Sequence, residues 1–127
     1  MKLNYLTLEE ILRLHFQVIE DYGGIHGVRD EGRLKSAVEA PKLNAFGIEQ
    51  YTSVYQKGAV YLRNIIGDHP FSDGNKRTAL TVSVIFLQRN GVVISVDPKG
   101  LEEFTIKVAT RHLSIDEIAN WFKLNSK

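Results

Sequence analysis

Residues 69–80, His-Pro-Phe-Ser-Asp-Gly-Asn-Lys-Arg-Thr-Ala-Leu, set an imidazole, a carboxylate, a glycine-bearing turn and two cations directly ahead of an apolar helical run. Pro70 disfavours helical backbone at Asp68 and His69, so an upstream helix is expected to stop there and leave the imidazole on a loop. Gly74 and Asn75 are residue types that tolerate positive φ, and a left-handed turn entering a helix aims successive backbone N–H groups at one spot. The orphan donors and positive dipole end of a helix starting near Lys76 face that same spot, which is an anion site by construction. Gly74, Asn75, Lys76 and Arg77 are the candidate phosphate cradle. Asp73 supplies the hard oxygen ligand that Mg²⁺ takes when the rest of its shell is water and phosphate. His69 is the candidate general base, because an imidazole is the side chain whose ordinary pKa lies nearest neutrality. The chemistry these types imply is transfer of a phosphate-centred group from a Mg²⁺-nucleotide.

Taken singly, each residue has a plain structural reading: a surface histidine, an ordinary Asp-Gly-Asn turn, a solvated cation pair. Together, the spacing His-x-Phe-x-Asp-Gly-Asn-Lys-Arg resembles the signature of the Fic/Doc family, His-x-Phe-x-(Asp/Glu)-Gly-Asn-(Gly/Lys)-x-x-x-Arg. Two departures matter. Lys76 stands where AMP-transferring Fic enzymes usually carry glycine, and Leu80 stands where they carry a second arginine. Both are similar to the Doc ("death on curing") branch of toxins from toxin–antitoxin pairs. Residues 23–32 (Gly-Gly-Ile-His-Gly-Val-Arg-Asp-Glu-Gly) and 86–91 (Phe-Leu-Gln-Arg-Asn-Gly) also read as Doc-like, so the resemblance spans nearly the whole chain.

Length and composition agree with one domain over residues 1–127, large enough for a single core. A net charge of +1 argues against direct nucleic-acid binding, which usually needs a strong basic excess. The absence of cysteine excludes a disulfide framework and a thiolate metal site. No signal core precedes the first charged helix, and no apolar run reaches the roughly 18 residues of a membrane span, so a cytoplasmic location is expected.

The elements that must position the motif are legible as helices. Thr7 and Glu10 form a capping box, with Leu6 and Ile11 as a staple. Leu8, Ile11, Leu12, His15, Val18, Ile19 and Tyr22 then recur on one face, where His15 reads as a satisfied core histidine. Gly23-Gly24 ends this helix, and Asp30 either caps the next one or belongs to a loop at the cleft rim. A short helix from about Glu31 to Glu39 turns Leu34, Ala37 and Val38 inward and stops before Pro41. Residues 42–50 have weak periodicity and are expected to be the most mobile connection; by family analogy a flap near this position holds the protein substrate.

Tyr51 to Ile66 is helical in spacing and should end at Gly67, delivering His69. Ala79 to Leu87 is apolar nearly all round, as befits a buried helix, and closes at Asn90-Gly91. Residues 92–96 are β-branched and short, an extended segment or one side of a small hairpin. Asp97-Pro98 restarts a helix with Leu101, Phe104 and Val108 inside, and a second capping box at Ser114 and Glu117 opens the last helix. His26 and His112 lack any acid or histidine at ligand spacing and read as surface residues. Arg63 and Arg111 are free to reach a phosphate or a partner.

The expected fold is therefore an all-α, compact helical bundle with a buried helix after the motif loop. The resemblance implies a Doc-type kinase that moves phosphate from Mg²⁺-ATP to a threonine of elongation factor Tu and stops translation. Fic relatives often carry an internal inhibitory helix with (Ser/Thr)-x-x-x-Glu-(Gly/Asn). The nearest matches here, Ser53…Lys57-Gly58 and Ser95…Lys99-Gly100, lack the glutamate, so restraint by a separate antitoxin, laid as a helix in a groove, is expected. Two other readings stay open: a Fic-type AMP-transferase, and a catalytically silent antitoxin-binding module.

Overall fold

The computed structural model describes residues 2–127. Six helices carry the fold: α1 (Leu8–Tyr22), α2 (Glu31–Glu39), α3 (Val54–Asp68), α4 (Asn75–Arg89), α5 (Pro98–Arg111) and α6 (Ile115–Leu124). A 3₁₀ turn (Ala40–Lys42) and a minimal antiparallel hairpin, β1 (Asn44–Ala45) with β2 (Ile48–Glu49), connect α2 to α3. The all-α bundle expected from the sequence is the fold observed.

The capping residues start the helices where their chemistry says they should. Thr7/Glu10 and Ser114/Glu117 form reciprocal boxes, and Asp30 and Asp97 accept from the third backbone N–H of α2 and α5. The structure adds a third box, Ser53/Gln56, at the start of α3.

α3 and α4 form the centre. α3 is packed by α4, α6, α2 and α5, and buries Ala59, Val60, Tyr61, Leu62, Ile65 and Ile66. α4 buries Ala79, Val82, Phe86 and Leu87 between α3, α1 and α5. Gly58 lets the two backbones approach, since a Cβ there would meet Leu87 at 3.0 Å. Of the two, α3 is the more enclosed, because the helix after the motif leaves one side of its first turns to a cavity.

Two details differ from the sequence reading. The hairpin lies at 44–49, not 92–96, because Phe46 and Gly47 both adopt positive φ (54° and 79°), the turn that matches strand twist. Residues 92–96 are extended as expected but pair with the chain's last residues: Ser95 N–H donates to Asn125 O at 2.7 Å and Lys127 N–H to Val93 O at 2.9 Å. The base of the 44–49 hairpin is fixed by Lys57, a fully buried lysine that donates to Pro41 O at 2.9 Å and reaches the Glu49 carboxylate at 3.5 Å. That anchor sits eleven residues before Asp68, about 17 Å along the helix axis.

Candidate active site

The site begins where α3 runs out. The helix continues through Asp68, one residue past the expected stop and against the steric preference set by Pro70, because two arginines take its last carbonyls. Arg29 donates through Nη2 to Asp68 O (2.9 Å) and through Nε to His69 O (2.7 Å), and Arg33 donates to Asp68 O at 3.1 Å. His69 then turns left-handed, φ 47° and ψ 58°, a conformation that costs a non-glycine residue about 1–2 kcal/mol. The arginine clamps and Pro70, whose carbonyl accepts from Arg29 and Asp30 N–H, hold it there. Strain of this kind collects at functional residues.

The 23–32 segment does both things the sequence allowed. Asp30 caps α2, and the residues before it run beside the motif loop as a rim: Val28 pairs with Phe71, and Ser72 N–H donates to Gly27 O at 3.0 Å.

Beneath the loop, Phe71 is fully buried and stacks on His15, with ring centroids 3.8 Å apart and planes within 5°. His15 is also buried; its Nε2–H donates to Asp73 O at 2.8 Å. Burial holds its pKa below the ordinary histidine value, against the opposing pull of the Asp73 carbonyl, which suits a neutral packing histidine. Asn75 closes the loop on itself. Its Oδ1 accepts from Phe71 N–H and its Nδ2 donates to Phe71 O, both at 3.0 Å, so the side chain is committed to the turn and only its backbone N–H faces outward.

On the open side, Gly74 (φ 73°) precedes α4 without any side-chain cap. Thr78 N–H is the first to find a helical carbonyl, that of Gly74, so the N–H groups of Asn75, Lys76 and Arg77 have no acceptor among the described residues. Gly74 has no room for a side chain, since a Cβ would meet Ile19 Cδ1 at 2.9 Å. Asp73 lies beside these donors, its carboxylate accepting from Gly74 N–H (3.0 Å) and Ile25 N–H (3.2 Å). Gly24 allows that approach, because a Cβ would come within 2.8 Å of Asp73 Oδ2. Arg77 rests over the ring of Tyr22 at 3.8 Å, which orients the guanidinium at the cavity edge.

These groups open on a cavity of about 860 Å³. His69, Asp73, Gly74, Asn75, Lys76 and Arg77 all line it, so every residue assigned to the site from sequence meets in one place. The far wall is α5, through Pro98, Leu101, Glu102, Thr105 and Ile106, which sequence reasoning did not connect to the motif. A second cavity of about 560 Å³ reaches His69 and Lys76 from the other side, between the ends of α3 and α5. It takes in Arg63, Asp68 and His112, which places Asp68 away from Asp73. Residues 42–50 line neither cavity; their anchor at Lys57 lies at the opposite end of α3 from His69.

Comparison with known proteins agrees with this geometry. The family model described as Fic/DOC matches residues 5–87, α1 through most of α4. The chain is 33% identical to "Protein kinase doc" of Escherichia phage P1 over 93% of this chain and 92% of that protein. It is 37% identical to "Toxin Doc" of Mycolicibacterium smegmatis over 77% of each. The chain belongs to the Fic/DOC family. Within it, both relatives carry the Doc name that Lys76 and Leu80 suggested.

Proposed function

We propose that this protein is a Doc-type toxin that transfers the γ-phosphate of Mg²⁺-ATP to a hydroxyl of another protein, restrained by a separate antitoxin and acting in the cytoplasm. The observation that carries the reading is the uncapped start of α4. Three unpaired N–H groups, two cations and a carboxylate share one cavity with an exposed imidazole. The printed names of the relatives, a protein kinase and a toxin, support the kinase and toxin parts.

The residues fit a metal-bearing nucleotide. Asp73 would hold Mg²⁺ as a single protein carboxylate, the arrangement Mg²⁺ favours when phosphates and water complete its shell. Bound there, the ion neutralises charge on the phosphates. The N–H groups of Asn75, Lys76 and Arg77, with the Lys76 ammonium and Arg77 guanidinium, hold the phosphate oxygens, each charge-assisted bond contributing about 1.5–3 kcal/mol. His69 takes the proton of the attacking hydroxyl. Lys76 also fills, with a charged stem, the space a glycine would leave for phosphates to run deeper along α4, and Leu80 on the cavity wall offers no donor. Both favour presenting the terminal phosphate to the acceptor. Phe16, Tyr22, Ile25 and Val28 leave apolar surface exposed along the end of α1 and the rim, which suits an antitoxin helix laid beside the cleft.

Elongation factor Tu is the first acceptor to try, with whole-cell extract beside it. The protein is incubated with each in Mg²⁺ and ATP, and the intact mass of modified proteins is measured. A phosphate adduct is expected. An AMP adduct would replace the kinase with a Fic-type transferase, and no adduct on any protein would leave a silent binding module.

A further inference from the structure

We propose that the second cavity, on the α3–α5 side of His69, is the acceptor subsite, and that it takes an acidic, hydroxyl-bearing segment of another protein. This rests on the phosphotransfer reading and names the side from which the acceptor enters.

The geometry of phosphoryl transfer requires it to come from somewhere other than the nucleotide cavity. Attacking and leaving oxygens lie roughly in line across the transferred phosphorus, so the acceptor approaches from the face opposite the departing diphosphate. The anion-binding donors are all at the start of α4, on the first cavity. His69 and Lys76 are the two side chains that line both cavities. A base must reach the acceptor proton and a cation the transferred group, so these are the two residues that belong at a junction between donor and acceptor.

The lining of the second cavity says what the acceptor looks like. Arg63 and Lys76 bring two positive charges against the one carboxylate of Asp68. Arg63 is exposed and forms no ion pair or hydrogen bond among the described residues, whereas Arg29 and Arg33, one loop away, are occupied with carbonyls. Val108 and Leu113 provide an apolar floor, and His112 stands at the end of α5 in a left-handed turn (φ 50°). Arg63 precedes His69 by six residues, about 9 Å along α3. An extended peptide covers that distance in about three residues. The structure thus fits an acceptor whose acidic side chain lies about three positions from its hydroxyl. In the transfer step the hydroxyl proton passes to His69, the acceptor oxygen bonds to the γ-phosphorus, and the bond from phosphorus to the β–γ bridging oxygen breaks, its electron pair leaving with ADP.

The test is steady-state kinetics of wild type, Arg63→Glu and Arg63→Lys, using the protein found modified in the mass experiment as purified acceptor. Circular dichroism checks that each variant is folded, which the exposure of Arg63 favours. Arg63→Glu should raise KM for the acceptor by about tenfold or more, the loss of one charge-assisted bond, and leave kcat and KM for ATP within about twofold. Arg63→Lys should recover much of the acceptor KM. An unchanged acceptor KM overturns the subsite while the phosphotransfer reading stands. A shift in KM for ATP also overturns it and assigns the cavity to the nucleotide. Failure of the wild type to modify any protein shows before any variant is made; it removes the phosphotransfer reading and this subsite with it.

Discussion

α1 and α4 are both fifteen residues long and run antiparallel, Glu10 near the start of one pairing with Arg89 at the end of the other, yet their N-termini are finished in opposite ways. At α1, Thr7 and Glu10 satisfy each other's backbone donors, and nothing is left for a ligand. At α4, Gly74 supplies no side chain and three N–H groups stay open. A cap contributes about 1 kcal/mol, so the open end gives up stability that must be recovered elsewhere. It is recovered beneath and beside the loop, by the His15–Phe71 stack, the Asn75 clasp and the Arg29 and Arg33 clamps. The contrast teaches that the donors which would finish a helix are the same donors that bind phosphate. A site appears where capping has been withheld.

The comparison breaks most visibly at His69. His69→Ala should reduce transfer by about 10²–10⁴ and relieve growth arrest while leaving the circular dichroism spectrum unchanged, because the imidazole is exposed and packs no core. An equally toxic variant would remove the base from His69. Next is the carboxylate. Asp73→Asn should abolish the Mg²⁺ dependence of nucleotide affinity in titrations with and without the ion, and Glu102→Gln, on the opposite wall, should keep it. The reverse result would move the metal to α5.

Closing the open terminus is the third test. Gly74→Ala adds a Cβ at 2.9 Å from Ile19 in a left-handed conformation, and should cost about 1–2 kcal/mol in denaturant unfolding as well as impairing transfer. Opening the closed one, Thr7→Ala, should cost about 1 kcal/mol with transfer unchanged. If both variants affected transfer alike, the distinction between a capped structural end and an uncapped working end would be lost.

The smallest effect is the pH response of the antiparallel pair. The Glu10 carboxyl is lowered from 4.5 to about 2, first by its hydrogen bond from Arg89 and then by the backbone bond at Thr7. Between those values the unfolded chain binds more protons than the folded one. The contribution is therefore fully present above about pH 4.5 and is lost as pH falls toward 2. Thermal melts of Glu10→Gln should show a shallower acid decline than wild type over that window, and no change in transfer.

Much of this was legible in the sequence because it is local. Capping boxes, the left-handed Gly74 and the helical faces each depend on residues within one or two turns, and His15 was placed in the core by periodicity alone. The motif residues were legible as chemistry from their types. What the sequence hid is what arrives from a distance. Nothing in the spacing of Arg29 and Arg33 says that they meet Asp68 O, and so the end of α3 was placed a residue early. Asn75 was read as part of the cradle, but its amide turns back to Phe71, a bond that only the folded loop reveals. The α5 wall carries no motif of its own, and the hairpin depended on Phe46 accepting a positive φ that its residue type does not advertise.

The clamps on the motif loop also set when the site comes into being. Arg29 reaches its carbonyls across 39 and 40 residues of chain, Asp73 meets Ile25 across 48, and His15 meets Asp73 across 58. Contacts of such separation form after the local helices, since the loop between them must first be closed. A chain whose helices exist but whose halves have not docked holds the motif residues without the geometry that aims them. Assembly order thus gives the protein a delay between synthesis and competence, an interval in which a partner that recognises α1 and the rim can arrive before the cleft does.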